Sequence, residues 1–274
     1  MKELPIYKLR PFEGHPFKVM DNEEMALLEE SILAQGLLTP LVVRPLENGT
    51  YEVISGHRRL YACKEAGIET VPALIVEMDR DAAAIALVDS NLHREHILPS
   101  EKAFAYKMKM EAMKHQGTSS QLGTKLRTDE LIAQQTGDSR NQVQRYIRLT
   151  NLIPGILDMV DEGRIALTPA VELSYLGEWE QRDLLETMES EDCTPSLSQA
   201  MMLKATSQAG SLTMDKIFTI MTQPKPNQQE KISFKVSEIR DYFPRGYTAS
   251  QMTRDILKGL ELLKQQRQRN RDAR

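Results

Sequence analysis

The sequence predicts an α+β chain with three kinds of unit: a small mixed α/β N-terminal domain, an all-helical middle domain and a small C-terminal β-α unit. Three observations predict it. Short apolar strand patterns at 41–44, 51–54 and 71–76 alternate with helical periodicity only before residue 116. From Thr128 to about Ala205 the pattern is helical throughout. An alternating run, Ile232-Ser233-Phe234-Lys235-Val236, then precedes a last helix with Met252, Ile256, Leu260 and Leu263 on one face. The expected domains are therefore 1–116, 117–210 and 231–274, with a linker over 211–230 whose core is Thr222 to Gln229.

Taken in order, Asp21-Asn22-Glu23-Glu24 reads as a capped helix start, with a glutamate three residues after the aspartate. Met25, Leu28 and Ile32 share one face of that helix, and Gly36 stops it. Asn48-Gly49 marks a hairpin between two strands. A helix from about His57 to Ala66 follows, stopped by Gly67. Pro72 places the next strand at a start or an edge. An alanine-rich helix covers 81–92, and Pro99 opens another that reaches about His115. Residues 117–127 are a polar, glycine- and serine-containing connection. Beyond it, Thr128, Ser139, Thr168 and Ser196 are N-cap candidates, and Gly163 is a helix stop.

Composition excludes several classes. The 274 residues are 41% hydrophobic and 27% charged, which suits a soluble chain of two or three small domains. No apolar run approaches the roughly 18 residues that cross a bilayer, and the N-terminus lacks a signal-peptide core. These points predict a cytoplasmic protein with no membrane partner. Cys63 and Cys193 are far apart and lack metal or redox spacing. The net charge of −4 does not argue for nucleic acid, although the field over one face matters more than the sum.

The chemistry concentrates in two stretches. The first runs Val53-Ile54-Ser55-Gly56-His57-Arg58-Arg59, a strand that turns through glycine into a helix. Such a turn aims unpaired N–H groups and the positive end of a helix dipole at one point. Gly56 permits close approach of a ligand, Arg58 and Arg59 offer forked donors, and a protonated His57 adds another. This is a recipe for binding phosphate. Two cations at a helix N-terminus are otherwise unfavourable by about a few tenths of a kcal/mol each, and a bound polyanion reverses that sign. A solvated arginine pair explains the same residues more plainly. The second stretch holds Asn91, Arg94 and Glu95. Asn91 offers an amide oxygen suited to Mg2+, and Arg94 is a second phosphate candidate. A polar loop between helices is the plainer account here too.

Downstream, Ala133, Gly137 and Val143 have the spacing of a helix-turn-helix: a small residue at the crossing, a glycine in the turn and an apolar anchor. Ser139 and Gln142 make a capping box for the second helix. The side chains offered to DNA are then Ser139, Arg140, Asn141, Gln142, Gln144, Arg145 and Arg148, rich in the types that pair bidentately with base edges. Lys125, Arg127 and Arg164 are candidates for phosphate contacts.

With these motifs in hand, the chain resembles the ParB family of partition proteins, of a plasmid or mobile-element type. Members typically carry Gly-Glu-Arg-Arg where this chain has Gly56-His57-Arg58-Arg59. They carry Glu-Asn-Leu-Gln-Arg-Glu-Asp-Leu-x-Pro-x-Glu-x-Ala where this chain runs from Ser90-Asn91-Leu92-His93-Arg94-Glu95 through Pro99 and Glu101 to Ala103. The segment from Ser31 to Arg44 also resembles the family's first box. The resemblance implies a CTP- and Mg2+-binding pocket made by Ser55, Gly56, His57, Arg58, Arg59, Asn91, Arg94 and Glu95, with Asn91 on the metal. It also implies a homodimer that clamps palindromic DNA and a ParA-type ATPase as partner. The basic N-terminal peptide that relatives use toward that ATPase is not seen before the α/β domain.

Three departures modify those expectations. Ser90 and His57 replace family glutamates, so CTP hydrolysis is expected to be slow or absent. Thr168-Pro169-Ala170-Val171-Glu172 stands where many members have Gly-His-Ala-Arg, so the operator is expected to differ from the common chromosomal centromere sequence. Sulfiredoxin shares a related fold but places a cysteine beside its phosphate motif, whereas Cys63 lies a turn into the helix. Two other readings use the same motifs: a mobile-element repressor that never slides, and a nucleotide-dependent phosphotransfer enzyme.

Overall fold

The computed structural model, which describes residues 1–19, 21–92, 94, 96–116, 127–223, 239–244 and 246–272, begins with two short strands that the apolar pattern does not announce. These are β1 (Lys2–Pro5) and β2 (Leu9–Pro11), and their partners are remote in sequence. β1 pairs antiparallel with β5 (Thr70–Ile75), and β2 pairs parallel with β4 (Tyr51–Ser55). β3 (Leu41–Pro45) and β4 form the hairpin signalled by Asn48-Gly49. Gly49 takes φ +77°, and the Leu46 N–H donates to the Thr50 carbonyl at 2.9 Å. The sheet order is β1-β5-β3-β4-β2. β3 pairs with β5 only from Ala73 onward, so Pro72 sits where β1 alone flanks the strand. That is an edge position, as a residue without an N–H requires.

α1 (Glu23–Gln35) is capped by Asn22, whose side chain accepts from the Met25 N–H at 3.1 Å. The expected aspartate cap is therefore displaced by one residue. α2 (His57–Glu65) follows β4, and α3 (Arg80–Asn91) starts from Asp79 rather than Asp81. α4 (Pro99–His115) has its expected ends. Leu41, Val43, Val53, Met25, Ile32, Leu60 and Cys63 form one buried cluster. A second cluster joins Ile54, Phe12 and Phe17 to α3 and α4 through Ala84, Leu87 and Ala105.

The middle is all helical: α5 (Thr128–Thr136), α6 (Arg140–Leu149), α7 (Pro154–Asp161), α8 (Leu167–Leu173), α9 (Glu178–Ser190), α10 (Leu197–Gln208) and α11 (Met214–Thr222). Ser139 and Ser196 are N-caps as expected. Thr128 and Thr168 instead lie inside helices that begin after Arg127 and Ala166. α11 occupies part of the stretch expected to be a linker. Its Ile217, Ile220 and Met221 are buried against the helical core, an apolar stripe of one short helix that composition alone hides.

Two units are distinguished, Met1–Gln223 and Pro224–Arg274. The second contains α12 (Ala249–Asp272), with Met252 buried and Leu260 and Leu263 exposed. The expected strand at 232–236 and the connection at 117–126 lie outside the described residues. Among the described residues, no helix is long and apolar enough to cross a membrane.

Candidate functional site

β4 ends at Ser55 and the chain reverses at Gly56, where φ is +104°. A Cβ there would meet Leu41 Cδ2 at 2.6 Å, so only glycine fits this turn without displacing the core. α2 starts with no side chain capping it, so no side chain satisfies its first N–H groups. Beside Arg58 in the first turn of α2 lies a cleft of about 540 Å3, lined by Lys18, Asn22, Glu24, Arg58, Arg94, His96, Leu98 and Glu101; the expected Ser55 and Gly56 are not among its lining residues. Arg58 from the first motif and Arg94 from the second thus open on one space.

The electrostatics of that space are cationic and under strain. Arg94 is exposed and lays its guanidinium over the Phe17 ring, with 5.4 Å from Cζ to the ring centroid. Burial pulls its guanidinium below the usual arginine range; Glu101 offsets this and nearby Arg58 adds to it. Arg58 pairs with the exposed Glu24 carboxylate at 3.1 Å. Glu101 is already engaged, accepting from the Lys18 N–H at 2.7 Å and the Leu98 N–H at 3.0 Å. A phosphate chain is the ligand class that relieves two adjacent arginines together.

Other motif residues are turned elsewhere. The expected donor role of a protonated His57 is corrected. Its ring is buried, with its centroid 3.7 Å from that of His15, and its Nε2 accepts from the Phe12 N–H at 3.3 Å. Burial, then His15 and Arg94, push its pKa down to about 3. Arg59 does not line the cleft. Its Nη1 donates to the Thr39 and Pro40 carbonyls at 2.6 and 3.0 Å, pinning the turn before β3. Asn91 is buried, and its Nδ2 donates to the Leu87 carbonyl at 2.8 Å and to Ser90 Oγ at 3.2 Å. That leaves Oδ1 as the atom it can offer a cation. Glu95 lies outside the described residues. Among the described residues, no group of three or more His, Cys, Asp or Glu side chains is arranged to hold a metal. Lys18, Asn22, Glu24 and His96 were missed by sequence reasoning. Lys18 sits in an irregular stretch with no periodic or motif signal; Glu101 was legible only as the end of a capping pattern.

The second candidate surface is α6. Gly137 takes φ +74° and closes α5 through its N–H to the Ala133 carbonyl, at 3.0 Å. Ile132 and Val143 are buried with Tyr106 and Met113, fixing the two helices on α4. Ser139 accepts from the Gln142 N–H at 3.2 Å. Ser139, Arg140, Asn141 and Gln144 are exposed, and Gln142, Arg145 and Arg148 are partly buried. The Asp129 carboxylate, 3% exposed, accepts from Arg140 Nε at 2.9 Å and Gln144 Nε2 at 2.8 Å. Burial pushes the Asp129 carboxyl up, but these bonds and the charges of Arg127 and Arg140 outweigh it and hold it below the usual range. Arg145 donates to Thr168 Oγ1 at 2.6 Å.

Arg148 faces away from a reading role. It stacks 3.8 Å over Tyr175 and donates to Ser174 Oγ and the Ser174 carbonyl, at 3.2 and 3.3 Å. Of the other basic candidates, Arg127 lies 3.3 Å from Asp129, Arg164 lies 3.8 Å from Glu162, and Lys125 is outside the described residues.

Comparison with known proteins identifies two matching domains. Residues 1–92 match the ParB N-terminal domain, and residues 95–206 match the ParB HTH domain. Stage 0 sporulation protein J of Bacillus subtilis is 34% identical over 167 residues, which are 61% of this chain and 55% of that protein. The probable chromosome-partitioning protein ParB of Vibrio cholerae is 29% identical over 264 residues, 96% of this chain and 85% of that one. Among solved structures, C-terminally truncated ParB from Caulobacter crescentus complexed to the centromeric parS site is 26% identical. It covers 75% of this chain and 99% of its own, with a TM-score of 0.44. The same protein complexed with CTP-gamma-S is 28% identical over 69% of this chain and 98% of its own, with a TM-score of 0.32.

Proposed function

The chain belongs to the ParB family, and from that premise we propose that it is a sequence-specific DNA-binding partition protein that takes CTP with Mg2+ and closes as a homodimeric clamp on DNA. The observation that carries the nucleotide part is the shared cleft: Arg58 and Arg94, from separate motifs, line the same space. A triphosphate lying across them meets two forked guanidinium groups, one from the first turn of α2 and one from the stretch before α4. By bridging α2 to the hinge before α4, the ligand favours one arrangement of those elements over another through differential affinity. CTP is the nucleotide that membership of the family implies.

Bound Mg2+ would neutralise charge on the phosphates, and Asn91 is the side chain offered to it. Turnover is expected to be slow or absent. His57 is buried and neutral, and the Ser90 hydroxyl donates to the Leu87 carbonyl at 2.9 Å, so neither supplies the general base that a carboxylate would.

DNA is read by α6, with Arg140, Asn141 and Gln144 toward base edges and Arg145 at the margin. A palindromic operator requires two-fold protein symmetry, and the exposed Leu260 and Leu263 of α12 suit a dimer seam. The operator is expected to differ from the common centromere sequence, since Thr168 sits where relatives carry a different side chain. A ParA-type ATPase is the partner that membership implies. Equilibrium binding of ATP, CTP, GTP and UTP with Mg2+ tests the central claim. Binding of CTP alone, lost in Arg58→Ala, is the expected result; equal binding of all four, or of none, would overturn it.

A further inference from the structure

Lys18 stands between two sets of negative charge. Its side chain lines the nucleotide cleft beside Arg58 and Arg94. Its Nζ lies 3.2 Å from Asp161 and 3.6 Å from Asp158, both on α7. Asp161 is not a loose surface acid. Its side chain is 7% exposed, and it accepts from the Ser100 N–H at 2.9 Å and from the Ser100 hydroxyl, at the first turn of α4. The Lys18 backbone is fixed to that same turn, because its N–H donates to Glu101. The cleft wall, the start of α4 and the end of α7 are therefore tied at one point, and the one member of the tie with a long, half-exposed, rotatable arm is the Lys18 ammonium. Burial is the largest single influence and disfavours its charge, but the Asp161 and Asp158 carboxylates together outweigh it and raise its pKa.

We infer that Lys18 is a shared cation: Asp158 and Asp161 hold it while the cleft lacks a phosphate chain, and the phosphates draw it off when one arrives, loosening the tie to α7. The inference rests on the nucleotide reading of the cleft. Its physical basis is competition. A triphosphate beside Arg58 and Arg94 presents several charge-assisted acceptors to an ammonium whose stem already lines the space. The two carboxylates give up one partner each, and Asp161 keeps Ser100. Because coupling is reciprocal, whatever weakens the carboxylates' hold on Lys18 strengthens nucleotide binding by the same factor. The helix that yields, α7, packs on α4, as does the reading helix α6. The tie thus gives the cleft a direct contact with the helical layer.

The test is a double-mutant cycle on the full chain, with calorimetric titration of CTP and Mg2+. Asp161→Asn keeps an acceptor for the Ser100 N–H and removes the competing charge. It is expected to tighten CTP binding roughly five-fold. Lys18→Met is expected to weaken binding about ten-fold, and in that background Asp161→Asn should have no further effect. Should Asp161→Asn fold poorly, Asp158→Asn, which has no bond to Ser100, serves in the same cycle with a smaller tightening. Amide exchange over α7 gives a second readout: it should quicken with CTP in the wild type and be equally fast with or without CTP in Lys18→Met. Additive variants, or exchange over α7 that ignores CTP, would overturn this inference alone while CTP still binds. A wild-type chain that does not bind CTP removes the nucleotide reading and this inference with it.

Discussion

The cleft and the reading helix solve opposite problems with the same residue types. On α6 the polar side chains are braced by the protein: Arg140 and Gln144 by Asp129, Arg145 by Thr168, Arg148 by Ser174 and Tyr175. In the cleft, Arg94 forms no ion pair among the described residues, and its neighbour Arg58 repels it. A braced face is ready for a rigid partner such as a duplex, because little side-chain entropy remains to be lost on binding. A bound polyanion would relieve Arg94, which stands beside Arg58 without an ion pair among the described residues, and on the proposed reading that relief is what does conformational work. On the proposed reading, one surface is organised for recognition and the other for switching.

The sharpest way to break the comparison is at the turn that precedes Arg58. Gly56→Ala forces a side chain into the left-handed region and onto Leu41, with an expected loss of about 3 kcal/mol in denaturant unfolding. The α6 surface, which begins at Ser139, should refold with native DNA affinity in whatever fraction survives. An undiminished midpoint would mean that the turn is looser than its geometry implies.

Arg94→Ala comes next. CTP affinity is expected to fall by about 2 kcal/mol, since a charge-assisted contact is lost. Stability without ligand should stay within about 1 kcal/mol of wild type, because the loss of the Phe17 contact is offset by relief of burial and of repulsion from Arg58. A large drop in the melting temperature without ligand would make Arg94 a structural residue and dissolve the contrast. Asp129→Asn is the matching change on the other surface. It should cost about 1–2 kcal/mol of affinity for an operator selected from a random DNA pool, by anisotropy, and leave CTP affinity unchanged. Equal operator affinity would show that the bracing of Arg140 and Gln144 does nothing for DNA.

What could be read from the sequence divides along physical lines. Elements with local signals were legible: Pro99 opening α4, Asn48-Gly49 in the hairpin, Ser139 capping α6, Gly137 between the two helices. Those whose existence depends on distant partners were not. β1 and β2 are too short for periodicity to register and exist only by pairing with β5 and β4. α11 looked like part of a linker because its apolar residues acquire meaning only against the helical core. The same limit governs the cleft. A motif places backbone, and packing decides which way each side chain turns. Arg58 and Arg94 face the cleft, whereas Arg59 went to the Thr39–Pro40 carbonyls and His57 into the core. Lys18 carried no signal, since its position follows from a loop crossing the start of α4.

The smallest expected effect concerns the histidines beneath the cleft. His15 and His57 have folded pKa values near 4 and 3, lowered first by burial. Both lie below the ordinary value of about 6.5 that an unfolded chain shows. The unfolded state therefore binds more protons than the folded one at mildly acidic pH, and stability rises with pH through that window. The contribution is complete above the unfolded value and is lost progressively as pH falls from there toward the folded values. Between pH 7 and 6 the loss is only about 0.7 kcal/mol per histidine, and it steepens below. Denaturant titrations at each pH measure it, and His57→Gln, which keeps an acceptor for the Phe12 N–H, should roughly halve the slope. Arg94 contributes to depressing both rings, so saturating CTP, by neutralising that arginine, should soften the slope in the wild type and not in Arg94→Ala. A slope indifferent to CTP would separate the buried histidines from the cleft.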